Sequence, residues 1–76
     1  MIIFYSKEGC PWCDDARTFM VDKGLEFDEK EVWSSPEFYD EMVELSGQSK
    51  APTFIIDGTV LADSSAEELE QYLQTQ

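Results

Sequence analysis

Two cysteines three residues apart, in Cys10-Pro11-Trp12-Cys13, are the part of this chain best suited to chemistry. A cysteine set just before a helix points its sulfur at backbone N–H groups that have no partner within the helix, and at the positive end of the helix dipole. That setting favours a thiolate. Cys10 takes this position if a helix begins at Pro11, whose fixed φ and missing N–H suit a first helical turn. Cys13, one turn on, can reach a mixed disulfide formed at Cys10 and is expected to be the more buried of the two. The pair then divides into nucleophile and resolver. Lys7, on the approach to the site, adds positive potential, and Trp12 covers the exposed side of the motif and offers a contact to a partner.

The same spacing also serves as half of a zinc site, or occurs as an inert buried pair. With no histidine and no third cysteine, a monomer cannot complete a four-ligand Cys/His zinc site, and a cysteine–histidine hydrolase has no base. Redox chemistry leads, and no metal is expected.

Around the pair, 76 residues make one domain, 1–76. An apolar share of 42%, with two Trp, three Tyr and five Phe, is enough for a folded core. Seventeen acidic against five basic residues give a net charge of -12, which repels phosphate backbones and anionic membrane surfaces and so argues against nucleic-acid binding. The apolar start, Met1 to Tyr5, has no basic region before it and no small-residue cleavage site after it, so it is not read as a signal peptide. No stretch approaches the roughly 20 apolar residues of a membrane span. A soluble, monomeric, cytoplasmic protein is expected, and in that reducing compartment a paired cysteine points to chemistry rather than a structural bridge.

The elements that must position the pair are legible in outline. Residues 1–6 read as a buried strand, broken by Gly9-Cys10-Pro11. Trp12, Ala16, Phe19 and Met20 recur at helical spacing up to Lys23, with Gly24 as the stop. Leu25 to Val32 suggests a strand at a sheet edge. Ser34-Ser35-Pro36-Glu37 starts a second helix that carries Phe38, Met42, Val43 and Leu45 and stops at Ser46-Gly47. Thr53 to Ile56 and Thr59 to Ala62 flank Asp57-Gly58, a pair suited to a type I′ hairpin. Ser65 and Glu68 make a capping box for a last helix through Leu73, before the polar tail 74–76. The order strand-helix-strand-helix-strand-strand-helix predicts an α/β fold: a four-stranded mixed sheet flanked by three helices, the first two strands parallel and the hairpin antiparallel.

On these residues a resemblance can be drawn. Tyr5-Ser6-Lys7-Glu8-Gly9-Cys10-Pro11-Trp12-Cys13 resembles the active-site stretch of the glutaredoxins, and Ala51-Pro52 resembles their cis-proline site. The resemblance spans nearly the whole chain. It implies a thioredoxin-like fold and a thiol-disulfide oxidoreductase of the dithiol type, with glutathione as electron donor and protein disulfides or glutathione mixed disulfides as substrates. It also implies that Pro52 lies beside the nucleophilic sulfur and that Ala51 offers backbone hydrogen bonds to an extended substrate.

The chain departs from the family's pattern around the expected glutathione groove. Ala62-Asp63-Ser64-Ser65 stands where a glycine pair, a small residue or cysteine, and an aspartate are usual. The N–H groups of Ser64 and Ser65 are the candidate holders of a glutathione carboxylate, with capping of the last helix as their other role. Tyr39 replaces a basic residue of the second helix, and Asp14 and Asp15 replace basic residues after the motif. Acids there oppose a thiolate and repel anionic glutathione. Two alternatives follow: a redoxin recharged by a thioredoxin-reductase type flavoprotein, as Lys50-Ala51-Pro52 resembles, or a module in which two chains and glutathione hold an iron–sulfur cluster through Cys10.

Overall fold

A computed structural model describes residues 2–74. The elements run β1 (Ile2–Ser6), α1 (Pro11–Asp22), β2 (Phe27–Glu31), α2 (Pro36–Ser46), β3 (Thr53–Ile56), β4 (Thr59–Leu61) and α3 (Ala66–Gln74). This is the expected order; the strand assignment at residue 1 and the tail at 75 and 76 lie outside the described residues. The sheet order is β2-β1-β3-β4, with β1 and β2 parallel and the other pairings antiparallel. The strand read between Leu25 and Val32 is at an edge, as its charged flank suggested, but is shorter because Leu25 serves the preceding helix: its N–H closes onto the Met20 carbonyl at 3.0 Å.

Alternation along β1 sorts its side chains onto two cores. Ile2 and Phe4 join Phe54 and Ile56 of β3 under α1 and α3, where Ala16, Met20 and Leu69 close the layer. Tyr5 faces the other way, against Met42 of α2 and Val32, with Ile3, Ile55 and Phe38 packed around them. Phe4 and Phe54 are register partners in the sheet and stack at 5.1 Å. Tyr5 keeps its hydroxyl satisfied by donating to Glu41, which Lys30 also reaches at 2.7 Å.

A serine side chain caps the start of each of two helices, α2 and α3. Ser35 accepts the Phe38 N–H and Ser65 accepts the Glu68 N–H, each at 3.4 Å. Asp57 and Gly58 turn the hairpin with φ of 50° and 87°, the pair of positive angles a type I′ turn requires. None of the described helices is long and apolar enough to cross a membrane.

Candidate functional site

The candidate site forms where β1 ends and α1 begins. Cys10 is the N-cap of α1, in extended backbone, with Pro11 at the first helical position. Its sulfur accepts the Cys13 N–H at 3.2 Å, as a serine oxygen would at an ordinary cap. Negative charge on that sulfur therefore meets both a donor and the positive end of a twelve-residue helix. The turn before it is held by the Cys10 N–H on the Lys7 carbonyl at 3.2 Å. Cys10 retains 9% exposure and Cys13 none. Both are free thiols.

Burial pushes the Cys13 thiol up to about 12, and the neighbouring Cys10 sulfur adds to the rise. A backbone group of Lys7 and the guanidinium of Arg17 oppose it. Arg17 lies one helical turn beyond Cys13 on the same face. It is anchored by Glu29 at 2.6 Å and Asp14 at 2.8 Å, and Ser6 also donates to Glu29 at 2.7 Å. The hydrogen bonds from Arg17 hold the Glu29 carboxyl below its usual range.

The peptide between Ala51 and Pro52 is cis. Lys7, Cys10, Pro11, Trp12 and Ala51 line one groove of about 380 Å³, joined there by Lys50 and Asp63. Trp12, Ala51 and Pro52 continue into a second groove of about 320 Å³, walled by Ser64 and Ser65. Eight of the nine candidate residues thus line these two adjoining grooves, while Cys13 is fully buried and lines neither. Trp12 is 63% exposed, which places it at the surface of the groove rather than in the core. Within the second groove the Ser64 N–H is already engaged, donating to the Pro52 carbonyl at 3.0 Å, while Ser65 caps α3. Asp63 and Glu68 make that end acidic. Among the described residues, no cluster of three or more His, Cys, Asp or Glu side chains is arranged to hold a metal.

Sequence reading passed over two residues of this surface. Trp33, just past β2, stands 68% exposed with the Lys7 ammonium 4.8 Å from its ring centre. Glu31, at the end of β2, accepts four hydrogen bonds: from the N–H groups of Glu8 (2.9 Å), Trp33 (2.7 Å) and Ser34 (2.9 Å), and from the Ser34 hydroxyl (2.5 Å). An apolar tryptophan after a valine reads as core, and a glutamate in an acidic run reads as surface. Neither residue type carried a signal by itself.

The family model described as Glutaredoxin matches residues 2–61. An uncharacterised glutaredoxin-like 8.6 kDa protein of the rubredoxin operon of Clostridium pasteurianum is 30% identical over 74 residues, 97% of this chain and 99% of its own. Among solved structures, the thioredoxin-like protein BC3987 is 25% identical with a TM-score of 0.85, covering 93% of this chain and 97% of that one. A glutaredoxin from Brucella melitensis is 30% identical with a TM-score of 0.70, covering 97% of this chain and 78% of that one.

Proposed function

Because this chain belongs to the glutaredoxin family and is on that ground a thiol-disulfide oxidoreductase, we propose that its redox centre is the Cys10–Cys13 pair. The reading rests on one observation above all: the Cys10 sulfur caps α1 and accepts the Cys13 N–H at 3.2 Å, in a groove shared with Ala51. A nucleophilic sulfur needs a donor aimed at it and a way in for the substrate; the Cys13 N–H at the helix start supports the first and the groove that Cys10 lines supports the second.

The chemistry runs in two exchanges. The Cys10 thiolate attacks one sulfur of a substrate disulfide; the new Cys10–substrate bond forms as the substrate S–S bond breaks, and the departing sulfur leaves as a thiolate that takes a proton from water. Cys13 then gives up its proton and attacks the Cys10 sulfur, releasing the reduced substrate and leaving a Cys10–Cys13 disulfide. Two electrons have moved from the pair to the substrate. Two glutathione molecules restore the dithiol and become glutathione disulfide. A single glutathione can replace Cys13 when the substrate is a glutathione mixed disulfide. Lys7, Pro11, Trp12, Ala51 and Pro52 form the binding surface, with Ser64 and Ser65 at the end where a glutathione carboxylate would lie. The unit is the single domain 1–76, working as a monomer in the cytoplasm.

A second reading changes the donor only. The engaged Ser64 N–H, with Asp63 and Glu68 beside it, weakens the case for a glutathione carboxylate site and supports recharging by a thioredoxin-reductase type flavoprotein. NADPH consumption with a disulfide substrate separates the two, comparing glutathione plus glutathione reductase with a thioredoxin-reductase system. Cys10→Ser is expected to abolish turnover with either donor. Cys13→Ser is expected to retain only the glutathione mixed-disulfide activity. Full activity in Cys10→Ser would sink the assignment.

A further inference from the structure

Beside the Cys10 groove lies a larger one of about 510 Å³, walled by Val32, Trp33, Pro36 and Tyr39 and opening onto Lys7 and Ala51. It is continuous with the reacting sulfur, since Lys7, Ser49 and Ala51 line both grooves. A segment joined to Cys10 by a disulfide therefore lies within reach of it. Its walls are aromatic and unusually exposed: Trp33 at 68% and Tyr39 at 41%. Such surface is costly to leave in water and marks a place for an apolar partner group.

The wall is also built to hold its shape. Glu31 fixes the Trp33 and Ser34 N–H groups and, through Glu8, the loop that carries Lys7 and Cys10. The Lys7 ammonium, the one cation among the described residues that line this groove, lies over the Trp33 ring at 4.8 Å. Glu37 and Asp40 are exposed on the first turns of α2, and the whole chain carries -12. A carboxylate entering here meets Lys7 within the field of a strongly acidic chain. A neutral or basic polypeptide segment with a bulky apolar side chain finds rings, a proline and a favourable field.

We propose that the Trp33–Tyr39 groove is a specificity site for polypeptide disulfides, taking the apolar side chain of the residue that follows the target cysteine in an extended, neutral-to-basic segment. The segment is taken to run opposite to residues 49–52. Ser49 lines this groove and Pro52 the one by Ser64, with Ala51 on both. A segment lying antiparallel to residues 49–52 sends its onward chain toward Trp33. The proposal rests on the oxidoreductase reading and names its substrate class.

The test uses two synthetic peptides, Lys-Gly-Cys-Phe-Lys-Gly and Lys-Gly-Cys-Gly-Lys-Gly, each carrying thionitrobenzoate on its cysteine. Rapid mixing with the reduced protein follows release of the yellow anion, and the readout is the ratio of the two second-order rates. Wild type is expected to favour the phenylalanine peptide by about tenfold, as an open apolar pocket allows. Trp33→Ala should bring that ratio close to one, Tyr39→Ala should lower it, and Trp33→Phe should keep most of it. Equal rates on wild type, or a preference that Trp33→Ala leaves intact, overturns the groove assignment alone. Failure of wild type to react with either peptide, or with hydroxyethyl disulfide, overturns the oxidoreductase reading along with it.

Discussion

The carboxylate of Glu31 accepts the backbone N–H of Glu8 at 2.9 Å, tying the loop that carries Cys10 to the far end of β2. The same carboxylate holds the Trp33 and Ser34 N–H groups, so the two loops that wall the reactive surface share one anchor. Those donors, the Ser34 hydroxyl foremost, hold the Glu31 carboxyl down to about 2. An acid held below its unfolded value of about 4.3 adds stability that is complete above that pH and is lost as pH falls through its folded value. Glu31→Gln should therefore melt lower than wild type from pH 7 down to about 4.3, with the gap closing toward pH 2. Thermal unfolding of both proteins across that range checks this; a gap that persists at pH 2 would argue against it.

Resolution by Cys13 should be steeply pH-dependent. Burial, the main cause of its rise to about 12, remains when Cys10 is tied up in a mixed disulfide. Only the thiolate attacks, so the rate of the second exchange should climb close to tenfold per pH unit across the neutral range. Arg17→Met removes a guanidinium that opposes the rise and should slow resolution at a given pH. The first exchange, read by the loss of substrate disulfide, should change much less. Single-turnover kinetics with a preformed Cys10 mixed disulfide measure the second step directly.

The stacked pair at the centre of the sheet should dominate stability. Phe4 and Phe54 are fully buried, and truncating Phe54 to alanine opens a cavity beneath α1 and α3. A loss of about 3–5 kcal/mol is expected, a large part of what a domain this small has to lose. Urea unfolding should show a strongly lowered midpoint, or a chain already unfolded in buffer.

The hairpin offers a milder case in which only the backbone is at issue. Gly58 has φ of 87°, and a methyl group added there would meet nothing within 4 Å. Gly58→Ala should thus cost about 1–2 kcal/mol, from the positive φ alone. A loss near zero in urea unfolding would mean that the turn relaxes to another type.

What the sequence determined by itself was whatever depends on neighbours along the chain. The Cys10-Pro11-Trp12-Cys13 spacing, the serine caps at 35 and 65, the Asp57-Gly58 turn and the apolar run that makes β1 are all short-range patterns. The setting of Cys10 followed from them, because a helix start makes its own field. Tertiary structure decided what converges from distant segments. Trp33 became a groove wall because β2 pairs parallel to β1 and sets its following loop beside Lys7. Glu31 became an anchor because that pairing brings Glu8 within reach, and the Ser64 N–H was engaged because Pro52 passes beneath it. Hydrogen bonds and ring contacts act over a few ångströms, so residues separated by 12 to 26 positions gain them only when the sheet register fixes where each loop ends.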